Sequence, residues 1–267
     1  MLGMAFAVCS TGAVALPAAA GASVSTATMG ASASPTPDSL TTPSGVSLSF
    51  GFDASYSGGF NPVPAHVKFH FDNDVAFDTT GLPQCAPASI LNVTTAQAIA
   101  ACGSAKVGSG SASYNAGAFN AVITAFNGIP SGGHDRLLLN DDINSGTVIE
   151  LLVGDIGPSS LGGDFGTQID FAVPNTPGFA LTHLATSLDN LEPVPGHHYV
   201  SARCSDLDRV LNFAADFTYN DASTRTASAT QACPPTGQRA AALKKCKKKH
   251  SKKARKKCRK RANLLPV

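Results

Sequence analysis

The stretch VSLSFGF, residues 46–52, sets the interpretation of the chain, because it places an apolar side chain at every second position. A period of two is typical of a strand with one face in a core and the other in solvent, whereas a helix repeats about every 3.6 residues. VKFHF, residues 67–71, alternates in the same way. Further apolar runs that fit strands occupy residues 119–126, 137–139, 148–153, 169–173, 200–204 and 213–219. The pattern predicts an all-β fold.

Turn-forming residues separate these runs, as at Asn61-Pro62, Gly132-Gly133, Asn144-Ser145-Gly146, Gly162-Gly163 and Pro195-Gly196. Only TTAQAIAA, residues 94–101, predicts a helix, with Thr94 or Thr95 as its N-cap. Many short strands divided by Gly/Pro turns predict one antiparallel β-sandwich, of jelly-roll or immunoglobulin-like type, over residues 44–233.

The N-terminal region reads as an export signal followed by a linker. Residues 2–22 are uncharged and apolar and end in AGA, a small-x-small pattern that predicts a cleaved signal over residues 1–22. No Lys or Arg precedes Lys68, so we expect the true start to lie upstream. A membrane anchor and, through Cys9, a lipoprotein are the alternatives. Residues 23–43 are rich in Ser, Thr, Ala and Pro, which predicts a mobile linker.

Six cysteines follow the predicted signal. An even number in an exported chain predicts disulfides, although six cysteines permit fifteen connectivities. Zinc is the alternative, but no C-x-x-C pair occurs and no histidine sits at ligand spacing to two cysteines. We favour pairing between sequence neighbours: Cys85 with Cys102, Cys204 with Cys233, and Cys246 with Cys258.

Charge is distributed very unevenly. Fourteen of the twenty Lys and Arg residues lie between Arg239 and Arg261, and all eighteen acids precede residue 222. The net charge of +2 therefore combines a body of −12 with a tail of +14. Such a block predicts an interaction tail that binds anionic polymers, and cell-envelope polymer, nucleic acid and anionic lipid all qualify.

The spacing of the two tail cysteines constrains the shape of residues 234–267. Twelve residues of one straight helix span about 18 Å, whereas a disulfide needs Cα atoms within about 7 Å. A bridged tail must therefore reverse, near residues 249–252, into a helical hairpin whose seam holds Ala242, Leu243, Cys246, Ala254, Cys258 and Ala262. A disordered basic tail with an incidental disulfide is the alternative. The predicted polymer-binding residues are Lys244, Lys245, Lys247, Lys248, Lys249, Lys252, Lys253, Arg255, Lys256, Lys257, Arg259, Lys260 and Arg261.

Candidate catalytic and metal-binding motifs are weak. Ser109 lies in GSGS, which fails the G-x-S-x-G nucleophile pattern. His66 and His70 would lie about 13 Å apart on one face of a strand, too far to share a metal. Turn formation explains the clusters Asp72-Asn73-Asp74, Asp141-Asp142-Asn144 and Asp206-Asp208 more simply than calcium binding does. His197 and His198 are adjacent at the start of a strand, where neighbouring side chains point to opposite faces, so we interpret them as surface histidines. The sequence therefore predicts no catalytic residue, metal ligand or cofactor.

Two segments resemble known proteins. The run LKKCKKKHSKKARKKCRKRANLLPV, residues 243–267, resembles a C-terminal element of secreted actinobacterial proteins, with two cysteines within Lys/Arg repeats before a Leu-Pro-Val ending. GLPQC (81–85), ACGSAKVGSG (101–110) and AFNG (125–128) resemble secreted proteins of unknown function. The resemblance implies export and carries no catalytic residue with it.

Three classes of function remain. We favour a monomeric, non-catalytic, extracellular or envelope-associated protein, whose cationic tail binds anionic envelope polymers. A carbohydrate-binding module is less favoured, because the chain has no tryptophan and four tyrosines for sugar stacking. A secreted hydrolase would need a nucleophile or acid pair that the sequence does not reveal. Pairing of the tail with the acidic body is the competing explanation for the charge asymmetry.

Overall fold

A computed structural model describes residues 23–57, 63–174, 179–205, 210–233 and 237–264. The predicted export signal, the pair Asp206 and Asp208, and the Leu-Pro-Val ending lie outside the described residues.

Antiparallel strands make up most of the body, which confirms the all-β prediction. The strands are β1 (Ser23–Ser34), β2 (Ser44–Gly45), β3 (Ser47–Ser57), β4 (Pro64–Asp72), β5 (Val75–Phe77), β6 (Lys106–Tyr114), β7 (Phe119–Ser131), β8 (His134–Ile143), β9 (Val148–Pro158), β10 (Phe165–Ala172), β11 (Leu181–Leu188), β12 (Val200–Ala202), β13 (Val210–Tyr219) and β14 (Thr224–Ala232). The helices are α1 (Thr95–Cys102), α2 (Gly237–Lys247) and α3 (Lys252–Ala262). Short 3₁₀ turns occupy Pro87–Ser89, Gly103–Ala105 and Asn115–Gly117.

Eleven strands form one sheet that nearly closes on itself, in the order β1-β3-β11-β6-β7-β8-β9-β10-β4-β13-β14. Its two edge strands approach each other, because Gln231 of β14 bonds the backbone of Ala33 in β1. The Ala33 amide donates to Gln231 Oε1 at 2.6 Å, and Gln231 Nε2 donates to the Ala33 carbonyl at 2.9 Å. This side chain satisfies backbone groups that an open edge would leave unpaired.

A second sheet of three short strands, in the order β2-β12-β5, lies beside the first. The amide of Val46 donates to the Val200 carbonyl at 3.0 Å, which continues the pairing of β2 with β12 into β3. Close to this sheet, Cys204 is bonded to Cys233 at the end of β14.

Phenylalanines fill the interior of the large sheet. Phe50 of β3 lies 4.8 Å from Phe69 and 5.5 Å from Phe71 of β4, between ring centroids, and Phe52 lies 4.9 Å from Phe217 of β13. These strands are not hydrogen-bonded neighbours of β3, so distant parts of the sheet face each other across one core. The alternation that predicted strands in residues 46–52 and 67–71 therefore also identified the core.

Helix α1 covers the outside of the sheet. Thr94, one of the two predicted caps, is the N-cap, and Gln97 completes a reciprocal capping box with it. Ala98 packs into a second apolar cluster with Phe126 and Leu138, which lie on the face of β7 and β8 away from the main core. The Cys85–Cys102 disulfide closes this cluster and ties the helix to the sheet.

The prediction of a mobile linker over residues 23–43 is wrong for residues 23–34, which form β1. This strand pairs with β3 along its length, with Met29 opposite Phe52 and Ala33 opposite Leu48. Strands β11 and β14 were also missed. Ser, Thr, Ala and Gly weaken the apolar alternation that marks a strand, but the hydrogen-bond ladder depends on the backbone and not on apolar side chains.

The three sequential disulfides are those favoured from the sequence. They point to an oxidising, non-cytoplasmic compartment. Among the described residues, no helix is long and apolar enough to span a membrane.

Candidate functional site

The basic segment forms the predicted helical hairpin. Helix α2 ends at Lys247 and α3 begins at Lys252, and the Cys246–Cys258 disulfide joins them with a Cα separation of 5.4 Å. Ser251 caps α3 by accepting the amide of Ala254 at 3.1 Å. The cap and the disulfide together fix the position of the reversal in the chain.

A groove runs between the two helices of the hairpin. Its volume is about 480 Å³, and its floor is apolar, formed by the disulfide and by Ala242, Ala254 and Ala262. Four cations line its sides: Lys245, Lys249, Lys257 and Arg261. Of the predicted seam residues, Cys246 and Ala262 are buried, Cys258 is half-buried and Ala254 is exposed. The two small arms are held apart enough to leave a cation-lined channel.

All thirteen predicted polymer-binding residues of the hairpin are exposed. Within the described ranges, none of them lies within ion-pair distance of a carboxylate. Their charge therefore faces solvent, where it is accessible to an external polyanion.

A second cluster lies on the outer face of the body, around His70. Its ring is fully buried, with Nδ1 2.9 Å from Ser159 Oγ and Nε2 3.2 Å from Asp216 Oδ2. Burial lowers the pKa of His70, although the nearby Asp216 carboxylate partly opposes the shift. The ring of Phe165 packs against it, 6.2 Å away between centroids. A neutral imidazole is thus held between a hydroxyl and a carboxylate.

The two histidines of β4 have different partners, as their strand spacing required. His66 is half exposed and lies 3.4 Å from Asp170, which also pairs with Lys68 at 3.2 Å. Beside Lys68 and Asp216 lies a cleft of about 330 Å³, whose other polar side chains are Arg225 and the hydroxyls of Ser160, Thr218, Thr224 and Thr226. This face combines an imidazole, charges and hydroxyl groups within a small area.

A third cluster is enclosed in the core. The Tyr114 hydroxyl donates to Asp141 and also contacts Glu150, which faces Asp141 from the neighbouring strand. Burial raises the pKa of Asp141 to about 7, and burial likewise raises the pKa of Tyr114. One hydroxyl proton cannot satisfy two carboxylates, so this arrangement is most stable when the pair retains a proton.

The remaining candidates from the sequence have structural roles. Asp72 accepts the amides of Asp74 and Asn212, and Asp74 pairs with Arg203 at 2.8 Å. The turn explanation was wrong for Asp141 and Asp142, because both lie inside β8. Asp142 accepts the Thr95 amide at 2.9 Å, at the start of α1.

Two further candidates lie on the surface. His197 is 2.8 Å from Asp78, and Ser109 is an exposed residue within β6, on the wall of a shallow groove of about 520 Å³. Over the described ranges, no group of three metal-ligating side chains converges.

Sequence reasoning missed the Ser159–His70–Asp216 contact. The three residues come from the loop after β9, from β4 and from β13, and no local motif joins them. Only the order of strands, with β4 between β10 and β13, brings them together.

Comparison with protein-family models, with curated proteins and with solved structures gave no match. The functional assignment therefore depends on this geometry.

Proposed function

We propose that the protein is exported and retained at the cell envelope by its cationic hairpin, which binds phosphate-rich envelope polymers. The observation that carries the proposal is the disulfide-fixed groove, which directs Lys245, Lys249, Lys257 and Arg261 toward one channel. The resemblance of this tail to those of secreted actinobacterial proteins supports the same assignment.

The groove suits a chain of phosphodiesters better than a single anion. Four cations along a channel can contact successive phosphates, while the alanine and disulfide floor contacts the carbon backbone between them. Each phosphate neutralised releases counterions, so such binding weakens steeply with salt. The disulfide also fixes the two arms against their mutual repulsion, because a hairpin of this size buries little apolar area.

For the body, we infer a sandwich of jelly-roll or immunoglobulin-like type. The support is the packing of β3 against β4 and β13, which brings two parts of the large sheet face to face across a single core. In this arrangement the body is a rigid carrier for the tail.

Deleting residues 239–267 should abolish retention. The full chain and the deletion variant are sedimented with isolated actinobacterial cell walls at about 0.01 M and about 1 M salt, between which the Debye length falls from ~30 to ~3 Å. We expect only the full chain to pellet, and only at low salt. The Cys204–Cys233 disulfide stays in the deletion variant, so its melting curve serves as the folding control. Equal pelleting of both forms contradicts the proposal.

A further inference from the structure

The contacts of His70 define a direction for proton transfer. A neutral imidazole has one donor and one acceptor nitrogen. Nδ1, 2.9 Å from Ser159 Oγ, accepts the hydroxyl proton in the Nε2–H tautomer, and Nε2 lies 3.2 Å from Asp216 Oδ2, at the distance but not in the alignment of a hydrogen bond. Hydroxyl, imidazole and carboxylate then stand in the order that activates a serine, with the two ring nitrogens exchanged relative to the usual serine hydrolase arrangement. In an unliganded site such contacts are often imperfectly aligned.

Ser159 is half-buried at the start of a loop whose outer side is open. Ser159 follows the last residue of β9, and its amide donates to the Gly166 carbonyl at 3.0 Å, which fixes the start of the loop. The Leu161 amide donates to Ser159 Oγ at 3.3 Å, so a backbone donor already lies beside the nucleophile. Gly162 and Gly163 both have φ of 63° and nothing within 4 Å of a Cβ position. The loop backbone is therefore open on its outer side.

The adjoining cleft indicates the class of substrate. It begins at Ser160, the next residue in the chain, and its polar wall consists of Lys68 and Arg225, which donate hydrogen bonds, of Asp216, and of the hydroxyls of Thr218, Thr224 and Thr226. Hydroxyl groups both donate and accept, and a carboxylate accepts, so the wall suits a polyhydroxylated alcohol such as a sugar. A volume of about 330 Å³ is at the small end for ligand sites, which favours a single sugar-sized group.

We propose that Ser159, His70 and Asp216 form a hydrolytic site for O-acyl esters of sugars or similar polyols. This activity goes beyond retention at the envelope and does not depend on it. Ser159 and His70 act directly on the reacting atoms, whereas Asp216 is a positioning residue that holds the imidazole and stabilises its protonated form.

The reaction balances with water as the only co-reactant. Ser159 Oγ attacks the ester carbonyl carbon, and its proton passes to His70 Nδ1. Collapse of the tetrahedral intermediate breaks the carbon–oxygen bond to the alcohol, which leaves with the proton from His70. Water, deprotonated by His70, then attacks the acyl-serine, releasing the carboxylic acid and restoring Ser159.

The test is covalent labelling of the full chain with a fluorophosphonate, followed by peptide mapping, together with hydrolysis of acetylated glucose. Ser159→Ala removes the nucleophile from a loop, and Ser109→Ala is the matched control on an exposed strand. We expect the fluorophosphonate to label Ser159 in the unmodified chain. The rate of hydrolysis should fall by at least about 100-fold in S159A and stay unchanged in S109A. Absence of label from Ser159, or hydrolysis by S159A at the rate of the unmodified chain, overturns the proposal.

Asp216→Asn tests the positioning role separately from folding. The charged groups facing His70 are Asp216, Lys68 and Asp170. The Asp216 carboxylate raises the pKa of His70, so its loss should lower that pKa further. The labelling rate should then reach half its maximum at a lower pH, and the maximum itself should fall about 100-fold. An unchanged pH profile and rate, in a variant of unchanged melting temperature, contradicts the role of Asp216.

Discussion

Replacing Phe69 with alanine will lower the free energy of unfolding by about 3–5 kcal/mol, a large part of the stability of a domain of this size. Phe69 is fully buried at the centre of the large sheet, with ring centroids of Phe50, Phe52 and Phe171 at 4.8, 6.4 and 6.2 Å. Phe50 and Phe52 belong to β3, which is distant from β4 in the sheet order, and Phe171 belongs to the neighbouring β10, so a cavity at Phe69 is bordered by elements on both sides of the core that cannot all collapse into it.

Urea denaturation of the oxidised protein measures this effect, with Val122→Ala as the control. Val122 is 55% exposed on the outer face of β7, so its truncation should change stability by no more than about 0.5 kcal/mol. If the urea midpoint of Phe69→Ala shifts no more than that of Val122→Ala, the facing strands do not share one core.

Replacing Asp141 with asparagine will stabilise the protein more at pH 8 than at pH 5. The folded-state pKa of Asp141 is about 7, against an ordinary value of 3.8. Between these values the folded protein holds a proton that the unfolded chain has released, so stability falls as pH rises, by up to about 1.4 kcal/mol per pH unit. Asparagine does not ionise, and we expect its stabilising effect to grow by on the order of 2–3 kcal/mol from pH 5 to pH 8.

Thermal and urea unfolding of both proteins from pH 5 to pH 8 test this prediction. Asp155→Asn is the matched control, because Asp155 lies on the surface and pairs with Arg136 at 2.9 Å. The difference in free energy of unfolding between Asp155→Asn and the unmodified chain should stay constant from pH 5 to pH 8. Parallel pH profiles for Asp141→Asn and the unmodified chain contradict the enclosed, proton-retaining cluster.

Whether a strand could be predicted from the sequence depended on the chemistry of its side chains. Strands β3 and β4 were evident because phenylalanine and valine alternate with polar residues. Strands β1 and β14 were not, because their Ala, Ser and Thr side chains lack that contrast, and their place depends on pairing with β3 and β13. The hairpin was predictable because one disulfide excludes a straight helix.

The candidate sites also differ in how far the sequence alone predicts them. The hairpin cations lie in one sequence block, so charge alone located them. The Ser159–His70–Asp216 contact requires three elements to meet, and its residues are ordinary in their local sequence. Asp141 was visible in the run LLLNDDI, but its raised pKa depends on burial in the main core beside Tyr114 and Glu150, which come from other strands.

The measurement that tests the central claim most directly is the affinity of the full chain for poly(glycerol phosphate), compared between two variants of equal charge. One replaces the groove residues Lys245, Lys249, Lys257 and Arg261 with glutamine. The other replaces four cations away from the groove: Lys244, Lys248, Lys253 and Lys260.

We predict that the groove variant binds at least about tenfold more weakly than the control, and that its slope of log affinity against log salt is smaller by about 3 than that of the unmodified chain. Duplex DNA and anionic vesicles, measured in parallel, should bind the unmodified chain more weakly than the polymer. Equal weakening in both variants, or preference for DNA or vesicles over the polymer, would contradict retention through the groove.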